Sequence, residues 1–113
     1  MDNPVLFAQV KRKLNITWED DETTARIEEI MESAKTDLLH LLGIADSNFD
    51  FAVPGAENQL FQNYCLYDWN HVLNEFEENY KLLLMRTKQK HAVAYYQANT
   101  EGANDEEDGI QQI

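Results

Sequence analysis

Apolar residues recur along the chain at spacings of three and four, and these stretches predict helices. The first follows Asn3-Pro4, an N-cap with proline at the first helical position, where the missing N–H removes no intrahelical bond. It carries Leu6, Phe7, Val10 and Leu14 on one face. Lys11, Arg12 and Lys13 fall in its last turn, beside the carbonyl end of the dipole, so they read as a charged helix end rather than a nucleic-acid patch. The second helix begins at an acidic run, Glu19 to Glu22, that offers an N-cap side chain and puts anions at the positive end. Ile27, Ile30, Met31, Ala34, Leu38, Leu41 and Leu42 form its apolar stripe, with Glu28, Glu29, Glu32 and Lys35 outside it. Gly43 supplies a left-handed terminus, and Ile44 folds back as in a Schellman closure.

Residues 45–56 form a connection in which Phe49-Asp50-Phe51-Ala52-Val53 alternates as a short strand does, closed by Pro54-Gly55. Its two phenylalanines need a cover, either this chain's own bundle or a neighbouring subunit. From Glu57 the helical period returns through Leu60, Phe61, Tyr64, Cys65, Val72, Phe76, Tyr80, Leu83 and Leu84, with a break expected near Asn70. Glu77 and Lys81 stand in the favourable i, i+4 order. Leu82, Leu83, Leu84 and Met85 surround a helix axis, because successive residues turn by about 100°. One small core cannot bury all four, and with Val93, Tyr95 and Tyr96 behind them the segment calls for a protein partner or self-association. Trp69, Phe76 and Tyr80, together with Leu82 to Met85, are the candidate anchors of a core or subunit interface. Arg86, Lys88, Lys90 and His91 read as cations placed at a helix C-terminus. Residues 98–113 are expected to be a flexible acidic arm, following a helical domain over residues 1–97. The fold class is therefore all-α, a small helical bundle with a strand-like loop between the second and third helices.

Charge narrows the function. Lys and Arg number 9 against 21 Asp and Glu, for a net charge of -12. That balance disfavours affinity through phosphate neutralisation. No apolar run approaches the roughly 20 residues of a bilayer span, so no membrane partner is expected and the protein reads as soluble and intracellular. Cys65 is the single cysteine and sits mid-helix without a nearby preceding cation, as a buried structural thiol. Asp37-x-x-His40 and Asp68-x-x-His71 have carboxylate–imidazole spacing, but the further glutamates and long helices of a di-iron bundle are missing. There is no phosphate loop and no nucleophile elbow. The expectation is a non-enzymatic binding or assembly protein with no cofactor.

The order of these segments then matters. Leu6-x3-Val10-Lys11-x2-Leu14, the acidic turn Trp18 to Glu22, Ile27-x2-Ile30-Met31-x2-Ala34-Lys35, Leu38, Leu41-Leu42-Gly43-Ile44, Tyr64-x2-Tyr67-x2-Asn70 and Glu75-Phe76-Glu77-Glu78-Asn79-Tyr80 together resemble the tailed-phage head–tail connector family, also called adaptor or head-completion proteins. The resemblance covers about residues 4–85. It implies a virion subunit, assembled in the host cytoplasm, that forms a ring, usually a dodecamer, at the head–tail interface. That ring docks on the portal, extends the DNA channel and meets a stopper or tail-completion protein. By position, the portal-docking segment corresponds to residues 92–113, with Val93, Tyr95, Tyr96, Ile110 and Ile113 as its apolar contacts. Double-stranded DNA would pass without sequence-specific binding, and Glu28, Glu29 and Glu32 are candidate channel-facing acids. The alternative is a small acidic helical interaction or regulatory module that belongs to no virion.

Overall fold

Local signals at the helix ends decide where each element starts and stops. The computed structural model describes the backbone of residues 3–107 and the side chains of residues 3–98. Its helices are α1 (Pro4–Lys13), α2 (Asp21–Leu42), α3 (Ala56–Trp69), α4 (Phe76–Asn79) and α5 (Lys81–Glu107), with a 3-10 turn at Leu73–Glu75. The protein is all-α.

Asn3 accepts the Leu6 N–H at 3.1 Å to start α1, and Asp20 accepts the Thr23 N–H at 2.8 Å to start α2. The hydrogen bonds from Thr23, backbone first and hydroxyl second, hold the Asp20 carboxyl below its ordinary range. The ends of α1, α2 and α3 share one device, a residue in the left-handed conformation whose N–H and whose successor's N–H return to the last turn. At α2 this residue is Gly43 (φ 66°), with Gly43 N–H to His40 at 3.2 Å and Ile44 N–H to Leu39 at 2.9 Å. At α1 it is Asn15 (φ 61°), with Ile16 returning to Lys11 at 3.1 Å. At α3 it is His71 (φ 63°), with Val72 returning to Tyr67 at 2.9 Å, which makes the break expected near Asn70.

Helix α2 packs on α1, α3 and α5. Its buried stripe is Ile27, Ile30, Met31, Ala34, Leu38 and Leu42. Against it lie Leu6 and Val10 of α1, Leu60, Phe61, Tyr64 and Cys65 of α3, and Phe76 and Leu84. Phe76 stacks among Tyr64, Tyr67 and Tyr80 at ring-centroid distances of 5.3, 5.8 and 5.1 Å.

Three expectations change. Phe49 to Val53 is not a strand; no strand occurs among the described residues. The loop's backbone is satisfied by side chains instead. Asp50 accepts the Ala52 N–H at 2.9 Å, Asn58 donates to the Phe51 carbonyl at 2.8 Å, and Gln9 donates to the Ala52 carbonyl at 3.1 Å. Phe51 is buried against Phe61, so this bundle covers it without help from a neighbour, while Phe49 is half-buried. Glu77 and Lys81 do not form the expected pair, because α4 stops at Asn79 and Lys81 opens the next helix. Finally, α5 does not end near His91 but runs on to Glu107, so Arg86, Lys88, Lys90 and His91 lie mid-helix. Once nucleated, a helix propagates at little cost per residue. Ile110 and Ile113 lie outside the described residues.

The fold is elongated for this reason. Its radius of gyration is 17.4 Å and its longest extent 60 Å, against about 13 Å for a compact chain of similar length. No helix among the described residues is long and apolar enough to cross a membrane.

A Cβ added at Gly43 meets nothing within 4 Å, so only conformation opposes it. Gly43→Ala should lower stability by about 1 kcal/mol, and His71→Gly should raise it by several tenths. Urea midpoints measured for both variants check the pair; the two effects should have opposite sign.

Candidate interaction surface

The last helix is the element whose residues have more than one side to satisfy. At about 100° per residue, Leu84, Thr87 and His91 share one face of α5. Leu84 and Thr87 are only 9% and 3% exposed, and the Thr87 hydroxyl returns to the Leu83 carbonyl at 2.7 Å. Below them Glu57, itself buried, presents Oε2 to Lys90 Nζ at 2.5 Å and to His91 Nε2 at 2.6 Å. Burial alone would push the Glu57 carboxyl up, but Lys90, a backbone N–H and His91 together hold it below its ordinary value. Phe49 packs edge-on against the His91 ring at 5.6 Å. This latch fastens α5 to α3 and to the loop, and sequence offered no signal for it, since its partners lie 34 residues apart.

The opposite face of α5 carries Leu82, Met85, Gln89, Val93 and Tyr96 at helical spacing. Leu82, Met85, Val93 and Tyr96 are 61%, 54%, 53% and 69% exposed. The four residues expected to encircle the axis thus divide: Leu84 enters the core, Leu83 lies partly against it, and Leu82 and Met85 face out. Arg86 and Lys90 flank this outer stripe on one side, Lys81 and Lys88 on the other. Beyond His91 every described side chain is exposed, and the helix overhangs the bundle by about 24 Å at the usual rise of about 1.5 Å per residue.

Of the other candidate anchors, Phe76 is core, Tyr80 is half-buried against it, and Trp69 holds the Arg26 guanidinium 4.1 Å above its ring. Arg26 also donates to the Trp69 carbonyl at 2.9 Å, which satisfies one of the last carbonyls of α3. Burial, with Tyr67 alongside, raises the Tyr80 phenol above its ordinary pKa.

Glu28, Glu29 and Glu32 stand on the rim of a groove of about 490 Å³. Leu6, Met31, Phe49, Phe51 and Phe61 contribute to its lining, between α1, α2, α3 and the loop. No residue of α5 lines it. A second, polar cleft holds Asp37, Asp68 and Tyr64. Tyr64 donates its hydroxyl to Asp37, and burial followed by that carboxylate raises the phenol's pKa. The two Asp-x-x-His pairs do not converge. His71 sits past the end of α3, near Arg26, and among the described residues no group of three or more His, Cys, Asp or Glu is arranged for a metal. Cys65 is buried, and its thiol is pushed up by that burial, which makes it a poor nucleophile.

Replacing Glu57 by Gln should loosen α5 without unfolding the bundle. The expected loss is about 1 kcal/mol, because Lys90 is largely solvated. Trypsin should then cut faster after Arg86 and Lys88. Since the Glu57 carboxyl is depressed in the folded state, its stabilisation is fully present above the ordinary carboxylate value of about 4.3 and disappears as pH falls through the lower folded value. The wild-type chain should therefore lose protection of α5 on acidification below that value, and Glu57→Gln should not show that increment; limited proteolysis with an acid-active protease reads the difference. In comparisons with known proteins, no family model, no curated protein and no solved structure matches the chain.

Proposed function

We propose that the chain is a structural head–tail connector subunit of a tailed bacteriophage, which forms a ring on the portal and prolongs the DNA channel towards the tail. One observation carries this reading: α5 has a second apolar stripe, opposite the face that packs on the bundle, and a lone copy leaves it in water. A subunit built for a ring needs such a surface, because each copy must present a patch to a neighbour. The overhang beyond His91, with Val93, Tyr95 and Tyr96, is suited to reach a further partner such as the portal or a stopper protein. A net charge of -12 suits a wall past which DNA must slide without adhering. No step of this role requires catalysis.

The direct test mixes the chain with the portal protein encoded in the same genome and images the product by cryo-electron microscopy. A closed ring of this chain seated on the portal is the expected result. A chain truncated after Tyr96 should keep the bundle and bind the portal roughly tenfold more weakly. A chain that ignores the portal and instead captures a basic cellular protein as a monomer would replace this proposal with the acidic interaction module.

A further inference from the structure

The outer stripe of α5 and the groove between α1, α2 and the Phe49–Phe51 loop are complementary in both parts of their chemistry. The stripe is apolar along its centre, through Leu82 and Met85, and is flanked by cations on both sides. Residues 81–90 hold four of the nine Lys and Arg of the chain and no acid. The groove is lined by apolar side chains together with three acids, Glu28, Glu29 and Glu32, and one cation, Lys35, so its charged groups are acidic in balance. Its volume of about 490 Å³ lies within the usual range of about 300 to 1,000 Å³ for sites that accept a compact ligand.

We propose that the outer stripe of α5 in one copy docks into the acid-rimmed groove of the next copy. The inference rests on the ring-subunit reading and names the joint on which such a ring closes. Both patches are open in the same molecule, since α5 lines no part of its own groove and turns only its inner face to the bundle. The contact is therefore head-to-tail, the type that propagates around a ring. Other occupants fit less well. Residues 101–113 carry five acids and no base, so the rim repels them. Two outer stripes laid together would bring Lys81, Arg86 and Lys88 of each copy against the like charges of the other. In this arrangement Glu28, Glu29 and Glu32 belong to the joint between subunits and not to the channel wall. Arg86 and Lys88 meet them across it.

Charge reversal in the full chain tests the joint through self-association alone. One variant carries Arg86→Glu and Lys88→Glu, the other Glu28→Lys, Glu29→Lys and Glu32→Lys; circular dichroism verifies that each remains helical and melts cooperatively. The wild type should self-associate with a strength that falls as salt rises. Each variant alone should associate at least roughly tenfold more weakly, by sedimentation velocity or native mass spectrometry. Their mixture should regain association, because each patch then finds the opposite charge on its neighbour, and alternating copies should appear. A groove variant that associates like wild type overturns the proposal and points to pairing between α5 helices. A mixture that does not recover also overturns it, as does a wild type that stays monomeric up to about 1 mM, the weak end of useful affinity. None of these results involves the portal. Portal binding without charge-dependent self-association would sink the joint and spare the connector reading, and the reverse result would do the opposite.

Discussion

The structure depends on a helix that has two apolar faces and a bundle that can cover only one. Successive residues of α5 rotate by about 100°, so the run Leu82-Leu83-Leu84-Met85 cannot point one way. Leu84 goes into the core, Leu83 reaches its edge, and Leu82 and Met85 face solvent. Hiding the outer pair within one copy would need another helix on that side. Among the described residues, α1 and α3 are already packed on α2, and the four-residue α4 packs on α3 and α5.

What holds α5 in that position is partly apolar and partly ionic. The aromatic group of Tyr64, Tyr67, Phe76 and Tyr80 fixes the turn that leads into the helix. Glu57 then fastens the helix further along through Lys90 and His91. A carboxylate this poorly exposed is tolerable only because several donors converge on it. The latch orients the helix so that its stripe looks away from the bundle and its distal part extends beyond His91. Fold and surface are consequences of the same contacts.

Charge organises the exterior in the same way. The excess of acids is not spread evenly, since α2 places three glutamates around one groove while α5 gathers cations along ten residues. Within a copy these regions do not meet; Lys90 of α5 pairs instead with Glu57 on α3. Screened surface charges contribute little to the stability of one subunit, but they select partners and their register. That is the physical sense in which an acidic protein can still carry a strongly directional surface.

Much of this was legible in the residues. The stripe of α2, the caps at Asn3 and Asp20, the closure at Gly43 and the break near Asn70 all follow from local rules, because spacing and capping act over one or two turns. That Leu82 and Met85 cannot share the face of Leu84 was local too, since it needs only the helical repeat. Long-range contacts decided the rest. Phe49 to Val53 alternates like a strand, yet Gln9 and Asn58 take its carbonyls and leave no edge to pair. The cations from Arg86 to Lys90 look like a helix end, yet the backbone continues past them to Glu107 and Glu57 rises to meet Lys90. Periodicity shows which side of a helix is apolar; only packing between distant segments decides which apolar side is covered and which acids gather around a groove.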